Sequence, residues 1–219
     1  MKRNKYTGDF MIHDNPIRGR INAWFLAAMD GYMHWKYAAL KRSIFEEAPQ
    51  TLVEIGSGTG ANLRYLPEGC ELIAIEPNIH MHPILIKKAA KYGVKLDLRG
   101  LCGEQLDLPE NSVDFVFCTL VLCTVDNPQQ VIAEVRRVLK PGGRFVCIEH
   151  VKAPNSSSIS RVQNAIRRPW RWFFEGCDLC RSTDHLLETA NFESVQVDKF
   201  TLPTIFVPIR HQIISVCIN

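Results

Sequence analysis

The sequence VEIGSGTG at residues 53–60 follows a short apolar run and is rich in glycine. Its glycines are Gly56, Gly58 and Gly60. Because glycine has no side chain, such a segment can turn sharply and bring its backbone close to a ligand. The apolar run predicts a strand at 51–55, and the residues after the glycines predict a helix at 61–66. A glycine turn between a strand and a helix is typical of α/β domains that bind nucleotides.

Beyond this segment, strand-like and helix-like patterns alternate along the chain. Further strands are predicted at 71–75, 94–98, 113–119 and 144–149, and helices at 82–92 and 128–139. Past residue 154 the pattern predicts helices at 159–174 and 182–189 and strands at 194–200 and 212–218. The alternation predicts an α/β fold with a Rossmann-like, doubly wound, mostly parallel sheet of about seven strands, the last of them antiparallel.

A long amphipathic helix is predicted at 18–48, ending before Pro49 and with Gly31 as a candidate break. Its apolar positions recur at helical spacing and are Ile21, Trp24, Phe25, Ala28, Tyr32, Trp35 and Ala39. We therefore divide the chain into an N-terminal helical extension or lid at 1–50 and a main domain at 51–219.

The composition is that of an ordinary globular domain, since 46% of the 219 residues are hydrophobic and 22% are charged. A net charge of +3, dispersed along the chain, gives no reason to expect a nucleic-acid partner. The apolar runs are shorter than the roughly 20 residues that a membrane-spanning helix requires. The opening sequence MKRNKYTGDF also lacks a signal-peptide pattern. We predict a cytoplasmic protein whose eight cysteines are reduced.

Glu76 ends the second predicted strand, twenty residues after Gly56. A carboxylate at this position can accept hydrogen bonds from both hydroxyls of an adenosine ribose. The glycines, together with Ala61, also satisfy the dinucleotide fingerprint. These residues therefore fit either a nicotinamide cofactor or S-adenosylmethionine.

Four ordered motifs over about 100 residues resemble those of the class I S-adenosylmethionine-dependent methyltransferases. They are EIGSGTG at 54–60, GEQ at 103–105 before LP at 108–109, NSVD at 111–114 before TLVL at 119–122, and RVLKPGG at 137–143. The resemblance implies that the leading acid positions the amino group of S-adenosylmethionine and that 103–105 flanks its adenine. The implied cofactor site comprises Glu54, Gly56, Ser57, Gly58, Gly60, Glu76, Pro77, Gly103, Glu104, Thr119 and Leu120.

Three shorter segments resemble, more narrowly, a methyltransferase-like family whose animal members are membrane-associated alkyl-thiol methyltransferases. They are VLC at 121–123, IEHV at 148–151 and FEGC at 174–177. The resemblance implies a small hydrophobic methyl acceptor, with a thiol first and a lipid or quinone-like ring second. A nicotinamide-dependent oxidoreductase and a non-catalytic binding protein are the rival hypotheses. Binding of S-adenosylhomocysteine or of NAD separates the two enzyme classes.

The N-terminal helix has three interpretations. Its aromatic stripe forms a wall of the acceptor pocket, packs against the sheet as ordinary core, or lies on a membrane surface as a peripheral contact. The last interpretation rests on Lys36, Lys41 and Arg42, which accompany the stripe.

Candidate catalytic residues are few, because a sulfonium methyl group is already electrophilic and the protein mainly has to align the acceptor with it. His150 follows the fifth predicted strand and is either a general base or a partner of a loop carbonyl. Asp126 follows the fourth strand and either orients the acceptor or belongs, with Asn127 and Pro128, to a turn that caps the next helix.

No metal site is predicted from the sequence. Cys177 and Cys180 have the spacing of a zinc-binding pair, with His185 nearby, but a second cysteine pair at matching spacing is missing. The segment HMH at 80–82 is predicted to be an exposed helix start without a role.

Overall fold

The computed structural model of this protein describes residues 16–219, so the segment MKRNKYTGDF lies outside the described residues. The strands are β1 (Thr51–Ile55), β2 (Glu71–Ile75), β3 (Lys95–Arg99), β4 (Val113–Thr119), β5 (Leu139–His150), β6 (Ser194–Thr201) and β7 (His211–Ile218). The α-helices are α1 (Pro16–Phe45), α2 (His82–Lys91), α3 (Pro128–Val138), α4 (Ser158–Phe173) and α5 (Thr183–Glu188). Two 3-10 helices cover Leu63–Tyr65 and Val207–Ile209.

The strands form one seven-stranded sheet in the order β3-β2-β1-β4-β5-β7-β6. β3, β2, β1, β4 and β5 pair in parallel, whereas β7 lies antiparallel between β5 and β6. This arrangement confirms the predicted fold, including the antiparallel last strand. The strand order reverses between β1 and β4, and open α/β sheets bind their ligands outside the carboxyl ends of the strands at such a point.

The central strands are apolar on both faces because helices cover both sides of the sheet. On one face, α3 packs through Val131 and Val135 on Ile55 and Val116. On the other face, Leu85 of α2 and Phe45 of α1 pack with Leu52, Leu72 and Phe117. The end of α1 is therefore part of the core of the main domain.

The predicted helix at 61–66 is wrong, because only a single 3-10 turn forms there. Asn62 does not cap a helix, since its buried side chain donates hydrogen bonds to Glu54 and Thr119. The fifth strand begins earlier than predicted, because Leu139 already pairs with Val113 ahead of a register shift.

The long N-terminal helix is confirmed, but it runs through Gly31 without a break and ends at Phe45. The predicted packing face is largely wrong: Trp24 and Trp35 are each 71% exposed. Ile21, Ala28 and Ala39 are exposed as well. The buried positions are Gly19, Asn22, Ala23, Tyr37, Lys41 and Phe45.

Polar contacts explain why α1 presents this other face to the domain. Asn22 Nδ2 donates to the Phe173 carbonyl at 3.0 Å, and Tyr37 Oη accepts from Gln212 Nε2 at 2.5 Å. These partners are distant in sequence, so hydrophobic periodicity contains no sign of them. The burial of Lys41 also removes one of the three cations assigned to a membrane-facing stripe.

No helix within residues 16–219 is both long enough and apolar enough to cross a membrane.

Candidate active site

The glycine turn after β1 lies at the switch point of the sheet and has a left-handed backbone. Gly56 and Gly58 have φ values of +66° and +54°. A Cβ atom at Gly56 would lie 2.4 Å from Val121 Cγ2, so the loop after β4 leaves no space for a side chain. At Gly58 the nearest atom, Met81 Sδ, would be 3.8 Å from such a Cβ, which leaves room above the backbone for a ligand.

Three buried oxygen atoms beside this turn provide a test of the predicted cofactor. Glu54 Oε1 accepts a hydrogen bond from Asn62 Nδ2 at 2.6 Å. Within the part of the chain that the structure describes, Glu54 Oε2, Ser57 Oγ and Asn62 Oδ1 have no hydrogen-bond partner. A buried polar atom without a partner costs about 1–3 kcal/mol. The amino-acid end of S-adenosylmethionine carries an ammonium group with three N–H donors, so these oxygens fit the cofactor.

Glu76 is the second acidic residue of this site and is nearly fully buried. Its Oε2 accepts from the Gly58 backbone N–H at 2.7 Å, and its Oε1 accepts from Asn78 N–H at 2.8 Å. Burial raises the pKa of Glu76 to about 7, although both backbone N–H groups oppose the shift. The carboxylate lies at the glycine turn, as recognition of a ribose requires. Its neighbour Pro77 is half-buried.

The segment 80–82 is not the exposed helix start that the sequence predicts. Met81 is buried and places its sulfur near Gly58, and a hydrogen bond of 2.8 Å joins His82 Nε2 to the Glu76 carbonyl. No local sequence pattern indicates this role, because the contacts depend on the bend between β2 and α2.

Gly103 and Glu104 lie in the segment between β3 and β4, and they contact β1 and the turn before α3. Gly103 is buried against Ile55, and Glu104 Oε1 accepts from Asn127 N–H at 3.2 Å. Asn127 caps α3, since its side chain accepts from Gln130 N–H at 3.1 Å. The turn-and-cap interpretation is therefore confirmed, with Asn127 as the capping residue. Asp126 is exposed in this turn, and its role toward an acceptor stays a prediction.

The loop after β4 is held by Glu149, a residue that sequence reasoning missed. Leu120 has a φ of +58°, which is strained for a residue with a side chain and is typical of functional sites. Glu149 accepts from the backbone N–H groups of Val121, Leu122 and Cys123 at 2.7, 2.9 and 3.1 Å. Burial raises the pKa of Glu149, and these donors oppose the shift. The only sequence signal was its place in the motif IEHV at 148–151.

His150 belongs to a buried group of three side chains, which we call the Cys-His cluster: Cys123, His150 and Cys177. His150 is 1% exposed, and its Nε2 is hydrogen-bonded to Cys177 Sγ at 3.0 Å, not to a loop carbonyl. The Cys123 and Cys177 sulfurs are 3.8 Å apart. The hydrogen bond to Cys123 and the imidazole of His150 lower the pKa of Cys177, whereas the Cys177 sulfur raises that of His150 against the effect of burial.

Cys177 and Cys180, which have the spacing of a zinc-binding pair, contact different residues. Cys180 Sγ lies 3.6 Å from Asn164 Oδ1 on α4, while Cys177 is directed to His150.

Phe25 of α1 contacts Phe173 and Phe174 at the end of α4 and Phe206 before the second 3-10 helix. We call the group the aromatic roof: Phe25, Phe173, Phe174 and Phe206. The Phe25 ring centroid lies 5.6, 5.7 and 6.2 Å from those of the other three. Gly19 O accepts from Asn78 Nδ2 at 3.3 Å, which joins the start of α1 to the turn after Glu76. The roof therefore lies next to the Glu76 side of the site.

Comparison with known proteins agrees with this geometry. A family model described as a methyltransferase domain matches residues 53–147. Thiol S-methyltransferase TMT1B from Rattus norvegicus is 33% identical over 211 residues, which cover 91% of this chain and 86% of the relative. Thiol S-methyltransferase TMT1A from Homo sapiens is 34% identical over 191 residues, covering 82% and 78%.

The fold is shared with a solved structure. The structure of a SAM-dependent methyltransferase from Thermotoga maritima superposes with a TM-score of 0.67 at 20% identity, covering 93% of this chain and 99% of the other. Fold, glycine turn and matched domain define an S-adenosylmethionine-dependent methyltransferase of class I. Within that class, the extended similarity shows that the chain belongs to the same family as TMT1A and TMT1B.

Proposed function

We propose that this protein transfers the methyl group of S-adenosylmethionine to the thiol of a small hydrophobic acceptor. The observation that carries the proposal is the length of the similarity to TMT1A and TMT1B, both thiol S-methyltransferases. It covers 91% of the chain for TMT1B, far more than the matched domain at 53–147. The elements that surround an acceptor are therefore included in the similarity.

The donor half of the site binds and orients the cofactor through the glycine turn and the two acidic residues. The partnerless oxygens of Glu54, Ser57 and Asn62 would accept hydrogen bonds from the amino group of the cofactor, and Glu76 would accept from its ribose hydroxyls. When bound, S-adenosylmethionine supplies a methyl group on a positively charged sulfur, which is already electrophilic.

The acceptor half needs to hold a thiol in line with that methyl group and to exclude water. Alignment of two reactants lowers a barrier by about 7–11 kcal/mol. The aromatic roof provides apolar surface for a hydrophobic acceptor, and Glu149 fixes the loop at 121–123 through three backbone hydrogen bonds. We assign His150 to the Cys-His cluster, because its Nε2 is already bonded to Cys177.

The experiment is incubation of the purified full-length protein with methyl-labelled S-adenosylmethionine and a panel of alkyl thiols, phenols, quinols and aminolipids. We expect label on sulfur, with the rate rising as the alkyl chain lengthens. The same panel with Gly58→Val reports background, since that variant blocks the donor site. Label on oxygen, nitrogen or ring carbon, with none on sulfur, would replace the thiol with another acceptor class and leave the methyltransferase assignment intact.

A further inference from the structure

The Cys-His cluster has the composition and spacing of a transition-metal site. We infer that Cys123, His150 and Cys177 bind a zinc ion through two sulfurs and one imidazole nitrogen. One ligand atom from each residue lies within 4.8 Å of the other two. The inference goes beyond the proposed function, since a bound metal follows from neither the donor site nor the thiol acceptor.

The distance between the two sulfurs suits tetrahedral zinc. With zinc–sulfur bonds of about 2.3 Å, two sulfur ligands lie roughly 3.8 Å apart. The Cys123 and Cys177 sulfurs are 3.8 Å apart. With a zinc–nitrogen bond of about 2.0 Å, nitrogen and sulfur ligands lie roughly 3.6 Å apart. The His150–Cys177 contact of 3.0 Å therefore has to open by about half an ångström, which a small side-chain rotation accomplishes.

The two cysteines of the cluster are held in place by contacts from outside it, as metal ligands often are. Cys123 N–H donates to Glu149, and the Cys123 carbonyl accepts from Asp178 N–H at 2.8 Å. Trp170 Nε1 donates to Cys177 Sγ at 3.2 Å. These bonds come from β5, α4 and the turn between α4 and α5, so three separate elements fix the positions of the two cysteines.

The donor set favours zinc over harder cations. Thiolate and imidazole select zinc and other soft metals, whereas magnesium and calcium prefer oxygen ligands. Three protein ligands leave the fourth tetrahedral position to a water molecule or another small ligand. A zinc ion here would also tie the loop after β4, whose Val121 packs on Gly56, to the turn after α4.

The test uses full-length protein that is purified under reducing conditions, incubated with Zn²⁺ and freed of loose metal. Elemental mass spectrometry should find about one zinc ion per chain. Replacement of zinc by Co²⁺ should give sulfur-to-cobalt charge-transfer absorption and the visible bands of a tetrahedral ion. Cys177→Ser and His150→Gln should each lower the metal content at least about tenfold.

Cys180→Ser is the matched control, since it removes the neighbouring thiol that contacts Asn164 instead, and it should retain the zinc. Circular dichroism and S-adenosylhomocysteine binding check that the variants are folded. If a ligand variant does not fold, the cobalt spectrum of the unsubstituted protein still shows whether sulfur atoms bind the metal. Three results would overturn the inference: no zinc in that protein, full zinc retention in Cys177→Ser, or a Cys123–Cys177 disulfide in the reduced preparation. None of them bears on methyl transfer to thiols.

Discussion

The donor half of the site and the α1 helix differ in how far apart in sequence their partners lie. The donor half is built largely from β1, the glycine turn and the end of β2, and Glu76 bonds Gly58 only 18 residues away. By contrast, the α1 residues Asn22 and Tyr37 bond partners 151 and 175 residues away. The first region is specified by backbone requirements of neighbouring residues, the second by surfaces that only the folded chain brings together.

The donor half and the aromatic roof also differ in the chemical groups that they present to a ligand. The donor half keeps buried oxygens and open space above Gly58, which suits a polar cofactor. The aromatic roof offers rings and few polar atoms, which suits an apolar acceptor. Substitutions in the two regions should therefore affect different steps, and the following predictions test that separation.

The largest effect is expected for Gly58→Val, which places a branched side chain at a positive φ and in the space above the backbone. The affinity for S-adenosylhomocysteine should fall by about 100-fold or more, as measured by calorimetry. Gly69→Val is the control, because Gly69 has a φ of +74° and no described atom within 4 Å of its would-be Cβ. It should lower stability by a similar backbone strain and leave the affinity unchanged. Equal affinity losses in both variants would contradict the placement of the donor.

A smaller effect, on the acceptor, is expected for Phe25→Ala in the aromatic roof. Removal of the ring takes away its contacts with Phe173, Phe174 and Phe206, so kcat/KM for a hydrophobic thiol should fall about tenfold. The affinity for S-adenosylhomocysteine should change little. The neighbouring Trp24, which is 71% exposed, supplies the matched control Trp24→Ala with near-normal kinetics. If Phe25→Ala also lost affinity for the donor, the hypothesis that the two regions affect different steps would be wrong.

Glu76 should show a comparable effect that depends on pH. Its pKa is raised to about 7, so the folded protein takes up a proton as the pH falls through 7, whereas the unfolded chain does so near the ordinary value of 4.5. The carboxylate therefore costs stability as the pH rises from 4.5 to 7. Glu76→Gln should remove this pH dependence of stability, and it should weaken S-adenosylhomocysteine by about tenfold, because an amide nitrogen cannot accept a hydrogen bond.

Titrations of affinity and thermal stability against pH measure both parts of this prediction. In the unsubstituted protein the donor affinity should decrease below pH 7, as the carboxylate that accepts from the ribose becomes protonated. A flat affinity profile from pH 6 to pH 8, together with an unchanged pH dependence of stability in Glu76→Gln, would show that Glu76 does not titrate in this range.

The smallest effect concerns the outer face of α1, where Trp24 and Trp35 are exposed. This exposure supports the membrane-surface interpretation of the stripe, which stays a prediction. The double variant Trp24→Ala/Trp35→Ala should fold with near-normal stability and lose co-sedimentation with anionic liposomes. Unchanged co-sedimentation would assign any membrane contact to another surface.

Much of the fold followed from the sequence because local patterns fix it. The strands at 51–55, 71–75 and 113–119 are confirmed to the residue, since apolar runs between turns leave little choice of boundary. The helix predicted at 61–66 does not form, because the Asn62 side chain bonds Glu54 and Thr119, and Thr119 lies on a strand 57 residues away. Helical propensity in that segment did not determine its structure.

By itself, the sequence determined the class of fold, because apolar runs and a glycine turn are local requirements of the backbone. The cofactor followed from the four motifs that resemble those of class I methyltransferases, and the donor residues stay a prediction. Only the tertiary structure decided which face of α1 is buried, that Glu149 holds the loop at 121–123, and that Cys123, His150 and Cys177 meet. Cys123 and Cys177 are separated by 54 residues in the sequence. Such contacts arise where the ends of β4 and β5 and the turn after α4 pack together, and no local pattern encodes that packing.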